Sequence, residues 1–101
     1  MKKTDFLPGT TLRLHQRDDM FRFNSDTEAL VAFIKVRKQD RVLDVGTNNG
    51  VLLLHCLSKG ANEGVGIDLF EEAITLANEN AQLNQLSHAK FIVCPLEFYE
   101  D

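Results

Sequence analysis

The stretch Arg41-Val42-Leu43-Asp44-Val45-Gly46-Thr47-Asn48-Asn49-Gly50 decides the fold, together with the apolar residues 51–57 that follow it. Residues 41–46 form a short apolar run that ends at a glycine, which predicts a buried strand. Residues 51–60 are apolar almost all round and close with Gly60, which predicts a helix packed against a sheet. A polar turn between a strand and a helix lies at the carboxyl end of the strand, where open α/β sheets bind ligands. The sequence therefore predicts a ligand site around residues 44–50.

The flanking segments extend this unit into alternating helices and strands. The predicted elements are a helix that begins at the capping box of Ser25 and Glu28 and fades at 35–38, strands at 41–46, 64–68 and 91–94, and helices at 51–60 and 71–84. Ile74, Ala77 and Ala81 are expected on the inner face of the last helix. Strands that alternate with helices predict an α/β fold, with three parallel strands, flanking helices and right-handed crossovers.

A short β-hairpin is predicted before the first helix. Leu12 and Leu14 on one side, and the apolar residues 20–23 on the other, bracket a polar middle, so the turn is expected at residues 17–19. The chain is therefore divided into a hairpin preamble at 1–25 and an αβαβαβ part at 26–101, within one domain.

Composition is that of an ordinary globular chain of 101 residues, 44% hydrophobic and 26% charged. No apolar run is long enough for a membrane span, and no hydrophobic stretch follows Lys2 and Lys3 as a secretory signal would require. These features predict a cytoplasmic protein, in which Cys56 and Cys94 are reduced and serve as small hydrophobic residues.

Charge is unevenly spread along the chain. Residues 1–41 hold nine Lys or Arg against six Asp or Glu, whereas residues 42–101 hold two against nine. A basic N-terminal part could face a nucleic acid such as RNA, although acidic residues interrupt it and a solvated surface is the favoured explanation. The histidines, His15, His55 and His88, lie in different predicted elements, so catalysis by any of them is not expected.

Asp68 indicates what the ligand contains. It ends the second predicted strand, roughly 20 residues after Gly46, which is the spacing of an acid that binds ribose hydroxyls. A carboxylate can accept hydrogen bonds from two neighbouring hydroxyls, so the spacing predicts an adenosine-containing cofactor. The dinucleotide fingerprint Gly-x-Gly-x-x-Gly, counted from Gly46, requires glycines at positions 48 and 51, which are Asn48 and Val51 in this chain. An NAD-dependent oxidoreductase domain is therefore the weaker alternative.

The motif itself resembles a known family. Residues 42–50 resemble motif I of class I S-adenosylmethionine-dependent methyltransferases, and Gly66-Ile67-Asp68-Leu69 resembles their second motif. Residues 21–27, Phe-Arg-Phe-Asn-Ser-Asp-Thr, resemble the preamble of the tRNA (adenine-N6) methyltransferases that act on valine tRNA. The resemblance spans residues 10–101 and implies a Rossmann-like partial sheet and S-adenosylmethionine as cofactor. It also implies direct displacement of the methyl group by a substrate nitrogen.

Residue by residue, the resemblance implies a cofactor site and no catalytic residue. Gly46, Asn48 and Gly50 would shape the loop under the methionine and ribose, with Asn48 in place of the usual glycine because asparagine tolerates left-handed backbone angles. Asp44 would face the methionyl amine. The remaining implied contacts are Asp68 to the ribose hydroxyls, Leu69 and Phe70 beside the adenine, and Asp26 and Thr27 over the methionine end, for which helix capping is the alternative.

The sequence also departs from the family pattern. Where many members carry an acid after the third strand, this chain has Cys94-Pro95-Leu96, with Glu97 as the nearest acid. No Asn-Pro-Pro-Tyr-like acceptor motif is present, so we expect a truncated chain that binds cofactor without transferring methyl by itself. A non-catalytic cofactor-binding fragment is the corresponding alternative. Protein-glutamine and ribosomal RNA acceptors stay open. The first strand of the sheet would be an open edge, which predicts a homodimer through that edge.

Overall fold

The computed structural model describes residues 2–6, 12–17 and 25–100, and for residues 2–6, 16–17 and 25–28 it describes the backbone alone. The elements are β1 (Lys2–Phe6), β2 (Arg13–Arg17), α1 (Ser25–Phe33), β3 (Arg41–Val45), α2 (Val51–Ser58), β4 (Glu63–Asp68), α3 (Glu71–Leu83), β5 (Ala89–Val93) and a 3-10 turn at Leu96–Phe98. The predicted α/β class and the three parallel strands with flanking helices are confirmed, and an antiparallel strand pair precedes them.

The main sheet has the strand order β3-β4-β5, with all pairs parallel. On the face that meets α2, a Cβ at Gly64 would collide with the side chain of Leu53, so the missing side chain allows helix and sheet to pack closely. Ala77 and Ala81, on the predicted inner face of α3, are buried in the core, as is Phe91 of β5. The helices therefore hold the carboxyl ends of β3 and β4 beside each other, which sets up the ligand site.

The N-terminal strand pair lies outside this sheet and is built differently from the prediction. β1 and β2 pair antiparallel, from Lys2 opposite Arg17 to Phe6 opposite Arg13. Among the described residues, the partner of β2 is β1, which precedes it in the chain. The predicted turn at residues 17–19 and the other predicted strand fall almost wholly on residues 18–24, which lie outside the described residues. The alternating pattern located β2 correctly, since Leu12 and Leu14 are buried, but it did not indicate on which side its partner lies.

Burial in α1 and β3 is partial. In α1, which ends at Phe33, just before the stretch 35–38 where the helix is predicted to fade, Val31 is buried, whereas Leu30 and Phe33 are 50% and 82% exposed. In β3, predicted as a buried strand, Leu43 and Val45 are 44% and 53% exposed. β3 is an edge strand of the described sheet, and its exposed side chains alternate with the half-buried Val42 and Asp44. The homodimer expected at this edge stays a prediction.

The described helices are short. None of them is long and apolar enough to cross a membrane. Cys56 and Cys94 are both free thiols, as expected.

Candidate cofactor site

The loop between β3 and α2 is the centre of the site. Gly46, Asn48 and Gly50 have φ angles of 69°, 54° and 83°, so three of its five residues are left-handed. The N–H of Thr47 donates to the carbonyl of Ile67 at 2.9 Å, which ties the loop to β4, and the N–H of Gly50 donates to the carbonyl of Thr47 at 2.8 Å. The loop is therefore a closed, strongly bent turn at the carboxyl edge of the sheet. Asn48 adopts the left-handed conformation that its residue type favours.

The two glycines of this loop have different steric roles. A Cβ at Gly46 would meet no atom within 4 Å, so this residue faces open space. A Cβ at Gly50 would lie 2.9 Å from Cζ of Phe91 and 3.1 Å from Cβ of Ala77, closer than packed carbon atoms allow. Gly46 therefore keeps the ligand side of the loop open, and Gly50 lets α2 begin against β5 and α3.

Asp44 and Asp68, at the ends of neighbouring strands, flank the loop. Oδ2 of Asp44 accepts a hydrogen bond from Oγ1 of Thr47 at 2.8 Å. Oδ2 of Asp68 accepts from the N–H of Asn48, and Oδ1 accepts from the N–H of Phe70, both at 3.0 Å. Asp68 thus holds the loop in place, and because each carboxylate oxygen has two lone pairs, it can still accept hydrogen bonds from a ligand.

The electrostatics of the site favour a cation. Burial raises the pKa of Asp44 above its usual value of 3.8, hydrogen bonds from Thr47 and the backbone of Leu53 act against the rise, and the charge of Asp68 adds to it. Two carboxylates that repel each other are stabilised by a positive group between them. The same pair would repel the pyrophosphate of a dinucleotide. One further polar atom of the site is unsatisfied, since Oδ1 of Asn48 is buried and accepts no hydrogen bond from the described residues.

The structure describes the other predicted site residues to different extents. Leu69 and Phe70 follow Asp68 and are 63% and 66% exposed, so two apolar side chains stand free next to the acid. Asp26 and Thr27 lie in the first turn of α1, and their side chains are outside the described residues. At the end of β5, the N–H of Cys94 donates to the carbonyl of Asp68 at 2.9 Å.

Three residues that build the site are not among those predicted from the sequence. Thr47 is buried and bonds Asp44, and a Cβ at Gly66 would lie 2.6 Å from Oγ1 of that threonine. A Gly-x-Gly pattern inside a strand is a signal of close approach, and Gly64 and Gly66 display it. The third missed residue is Asn80 of α3, whose Nδ2 donates to the carbonyl of Asn49 at 2.9 Å. Within the described part of the chain, no group of His, Cys, Asp and Glu side chains is arranged to hold a metal ion.

Comparison with known proteins agrees with this geometry. The family model described as ribosomal protein L11 methyltransferase (PrmA) matches residues 23–100, most of the chain. The chain belongs to this methyltransferase family. S-adenosylmethionine, the cofactor expected from the sequence, is the cofactor of such enzymes, so that prediction is confirmed. The nicotinamide alternative is not favoured.

Individual relatives of the family show the extent of the likeness. A protein of Methanocaldococcus jannaschii, named as a protein N5-glutamine methyltransferase, is 32% identical over 85 residues, which are 84% of this chain and 42% of that protein. The crystal structure of the ribosomal protein L11 methylase of Lactobacillus delbrueckii subsp. bulgaricus superposes with a TM-score of 0.65 at 30% identity, over 77% of this chain and 42% of that one.

A third comparison concerns the fold alone. The tRNA (uracil-54, C5)-methyltransferase of Pyrococcus abyssi, solved with S-adenosyl-L-homocysteine, has a TM-score of 0.77 at 22% identity, over 93% of this chain and 24% of that chain. The chain spans less than half the length of each of these three proteins. None of the three is a tRNA (adenine-N6) methyltransferase, so that finer sequence-based prediction is not shown.

Proposed function

We propose that this chain is the S-adenosylmethionine-binding part of a methyltransferase that acts on a protein. The observation that carries the proposal is the pair of carboxylates, Asp44 and Asp68, on the two sides of a loop with three left-handed residues. Their combined negative charge complements the sulfonium and the α-ammonium group of this cofactor. The same charge opposes a phosphate-containing one.

The residues present fit the cofactor in three further respects. Open space in front of Gly46 leaves room for a ligand against the backbone. The buried, unbonded Oδ1 of Asn48 offers an acceptor to a ligand N–H or O–H group. Leu69 and Phe70 are exposed and apolar, directly after the acid that would hold the ribose, so they suit the two faces of an adenine ring.

The contribution of this chain to the reaction is binding and orientation. When bound, S-adenosylmethionine supplies an electrophilic methyl group on a positively charged sulfur. Asp44 would hold the α-ammonium, Asp68 would hold the ribose hydroxyls, and the loop would fix the distance between them. Alignment of the two reactants can supply much of the rate, so the absence of an acid–base pair from the predicted site residues agrees with methyl transfer.

A protein acceptor is supported by the names of the relatives, one an N5-glutamine methyltransferase and another a ribosomal protein L11 methylase. The tRNA adenine expected from the preamble residues 21–27, which would contact the basic N-terminal part, has no comparable support among them. A cytoplasmic location belongs to this proposal, because ribosomal proteins are made and assembled there.

The acceptor is tested by methyl transfer from S-adenosylmethionine labelled in the methyl group. The methyltransferase that contains this chain would be incubated with ribosomal protein L11, with a glutamine-containing protein fraction, and with unmodified valine tRNA, alongside its Asp68→Asn variant. We expect protease-sensitive label that the variant loses. Nuclease-sensitive label in the tRNA would overturn the protein acceptor in favour of adenine methylation. Label that persists with Asp68→Asn would overturn the assigned site.

A further inference from the structure

Asn80, in the middle of α3, is a fully buried amide with every donor used. Its Oδ1 accepts from the N–H of His15 at 2.5 Å, and its Nδ2 donates to the carbonyl of His15 at 3.2 Å. The second hydrogen of Nδ2 goes to the carbonyl of Asn49 at 2.9 Å. Asparagine is unfavourable inside a helix because it competes for backbone hydrogen bonds, so a buried asparagine here indicates a role outside the helix.

Asn84, one helical turn later, repeats the two bonds to the strand. It accepts from the N–H of Arg13 at 2.9 Å and donates to the carbonyl of Arg13 at 2.6 Å. Its other hydrogen goes to the carbonyl of Asn80 at 2.8 Å, within its own helix. Four residues of helix rise about 6 Å and two residues of strand rise about 6.6 Å, so amides at i and i+4 match alternate residues of β2. The two asparagines therefore pair with the strand edge as a neighbouring strand would.

The two amides differ in one bond, and that bond reaches the cofactor loop. The carbonyl of Asn49 lies between Asn48, whose N–H is held by Asp68, and Gly50, which begins α2 with φ of 83°. Asn49 is itself fully buried, and its own Nδ2 finds no partner among the described residues. Asn80 thus holds the loop at a buried residue, whereas Gly46 of the same loop faces open space.

We propose that Asn80 is a positioning residue for the cofactor loop, and that it makes cofactor affinity depend on the docking of β2 against α3. The proposal rests on the proposed function, because the loop it orders is the S-adenosylmethionine site. One planar amide bonds both β2 and the loop, so a displacement of either strains its bonds to the other. By linkage, a bound cofactor then holds β2 in place as strongly as a docked β2 favours the cofactor.

The test compares Asn80→Asp with the matched control Asn84→Asp. Both substitutions keep the acceptor for the strand N–H and place an oxygen against the strand carbonyl. Only the first also places an oxygen against the carbonyl of Asn49. Amide hydrogen exchange in the free protein and calorimetric titration with S-adenosyl-L-homocysteine would be measured well below the unfolding temperature of each variant.

We expect Asn80→Asp to speed exchange at the N–H groups of Asn48 and Gly50 at least tenfold and to weaken binding at least tenfold. The control should speed exchange only at the N–H of Arg13 and leave binding within twofold, whatever its unfolding temperature. Should Asn80→Asp fail to fold, Asn80→Ser, which keeps a single hydroxyl donor, takes its place with Asn84→Ser as control.

Equal effects of the Asn80 and Asn84 variants on loop exchange and binding would overturn the positioning role. So would unchanged loop exchange in Asn80→Asp. If the wild-type protein binds no S-adenosyl-L-homocysteine, the proposed function fails, and the exchange measurement still decides whether Asn80 orders the loop.

Discussion

Replacing Gly50 by alanine should destabilise the protein for two separable reasons. At φ of 83°, a residue with a Cβ costs about 1–2 kcal/mol. The new methyl group would also lie 2.9 Å from the ring of Phe91 and 3.1 Å from Cβ of Ala77, and overpacking of this kind costs about 1–3 kcal/mol. Phe91 is buried and Ala77 is fixed on α3, so neither neighbour can move away freely. The expected loss in free energy of unfolding is about 2–5 kcal/mol.

Gly46→Ala is the matched control for this prediction, because Gly46 has φ of 69° and open space at its Cβ. It should cost only the backbone part, about 1–2 kcal/mol. Urea denaturation of both variants measures the difference. In a double-mutant cycle, the Gly50→Ala, Phe91→Leu variant should lose less free energy of unfolding than the sum of the two single variants, because the leucine side chain relieves part of the steric overlap. If Gly50→Ala is no more destabilising than Gly46→Ala, the packing of α2 described above is wrong.

Three further outcomes follow from the charges and their burial. Burial raises the pKa of Asp44, so this carboxyl stabilises the fold below its unfolded pKa and loses that contribution as the pH rises through its folded pKa. Asp44→Asn should therefore have an unfolding temperature at pH 7 no lower than that of the wild type. Calorimetry across pH should show that the variant binds S-adenosyl-L-homocysteine more weakly and lacks the loss of affinity that the wild type shows at acid pH. Burial, and to a lesser extent the charge of Lys59, lowers the pKa of His55, so the stability of the fold should decrease as the pH drops below about 6.5. Thermal unfolding of His55→Leu, measured at pH 7.5 and 5.5, should lack this decrease. The same decrease in the variant would contradict the prediction. Glu63→Gln removes the exposed ion pair with Arg41 and should change the free energy of unfolding by less than about 1 kcal/mol in urea titrations, a larger loss being evidence against a surface role.

The parts of the fold that sequence alone could predict are those with strong local patterns. The apolar runs at 41–46 and 51–57 gave β3 and α2 to within two residues, and the buried face of Ile74, Ala77 and Ala81 was read directly from the 3.6-residue period. The pairing of β2 with residues 2–6 was not predictable in this way, because strand partners are selected by contacts distant in sequence. The exposure of Leu43 and Val45 depends on what covers the sheet, which no local pattern records.

The candidate site shows the same division. Gly46, Asn48 and Gly50 were accessible from the resemblance to motif I and from the position of their loop between a strand and a helix, and Asp68 from its spacing after Gly46. Asn80 could not be predicted, because its hydrogen-bond partners lie 31 and 65 positions away and the residues next to it in sequence do not indicate which they are. An asparagine on the buried side of a helix, with a second one four residues later, is the signal that could have drawn attention to it.

The loop between β3 and α2, flanked by Asp44 and Asp68, is proposed to bind the adenosyl cofactor of the methyltransferase family. The decisive experiment is calorimetric titration of the chain with S-adenosyl-L-homocysteine, with NAD as the competing ligand and Asp68→Asn as the site variant. We expect binding of S-adenosyl-L-homocysteine, no binding of NAD, and at least tenfold weaker binding by Asp68→Asn, which keeps a side chain of the same shape. Binding of NAD in preference, or binding that Asp68→Asn leaves unchanged, would contradict it.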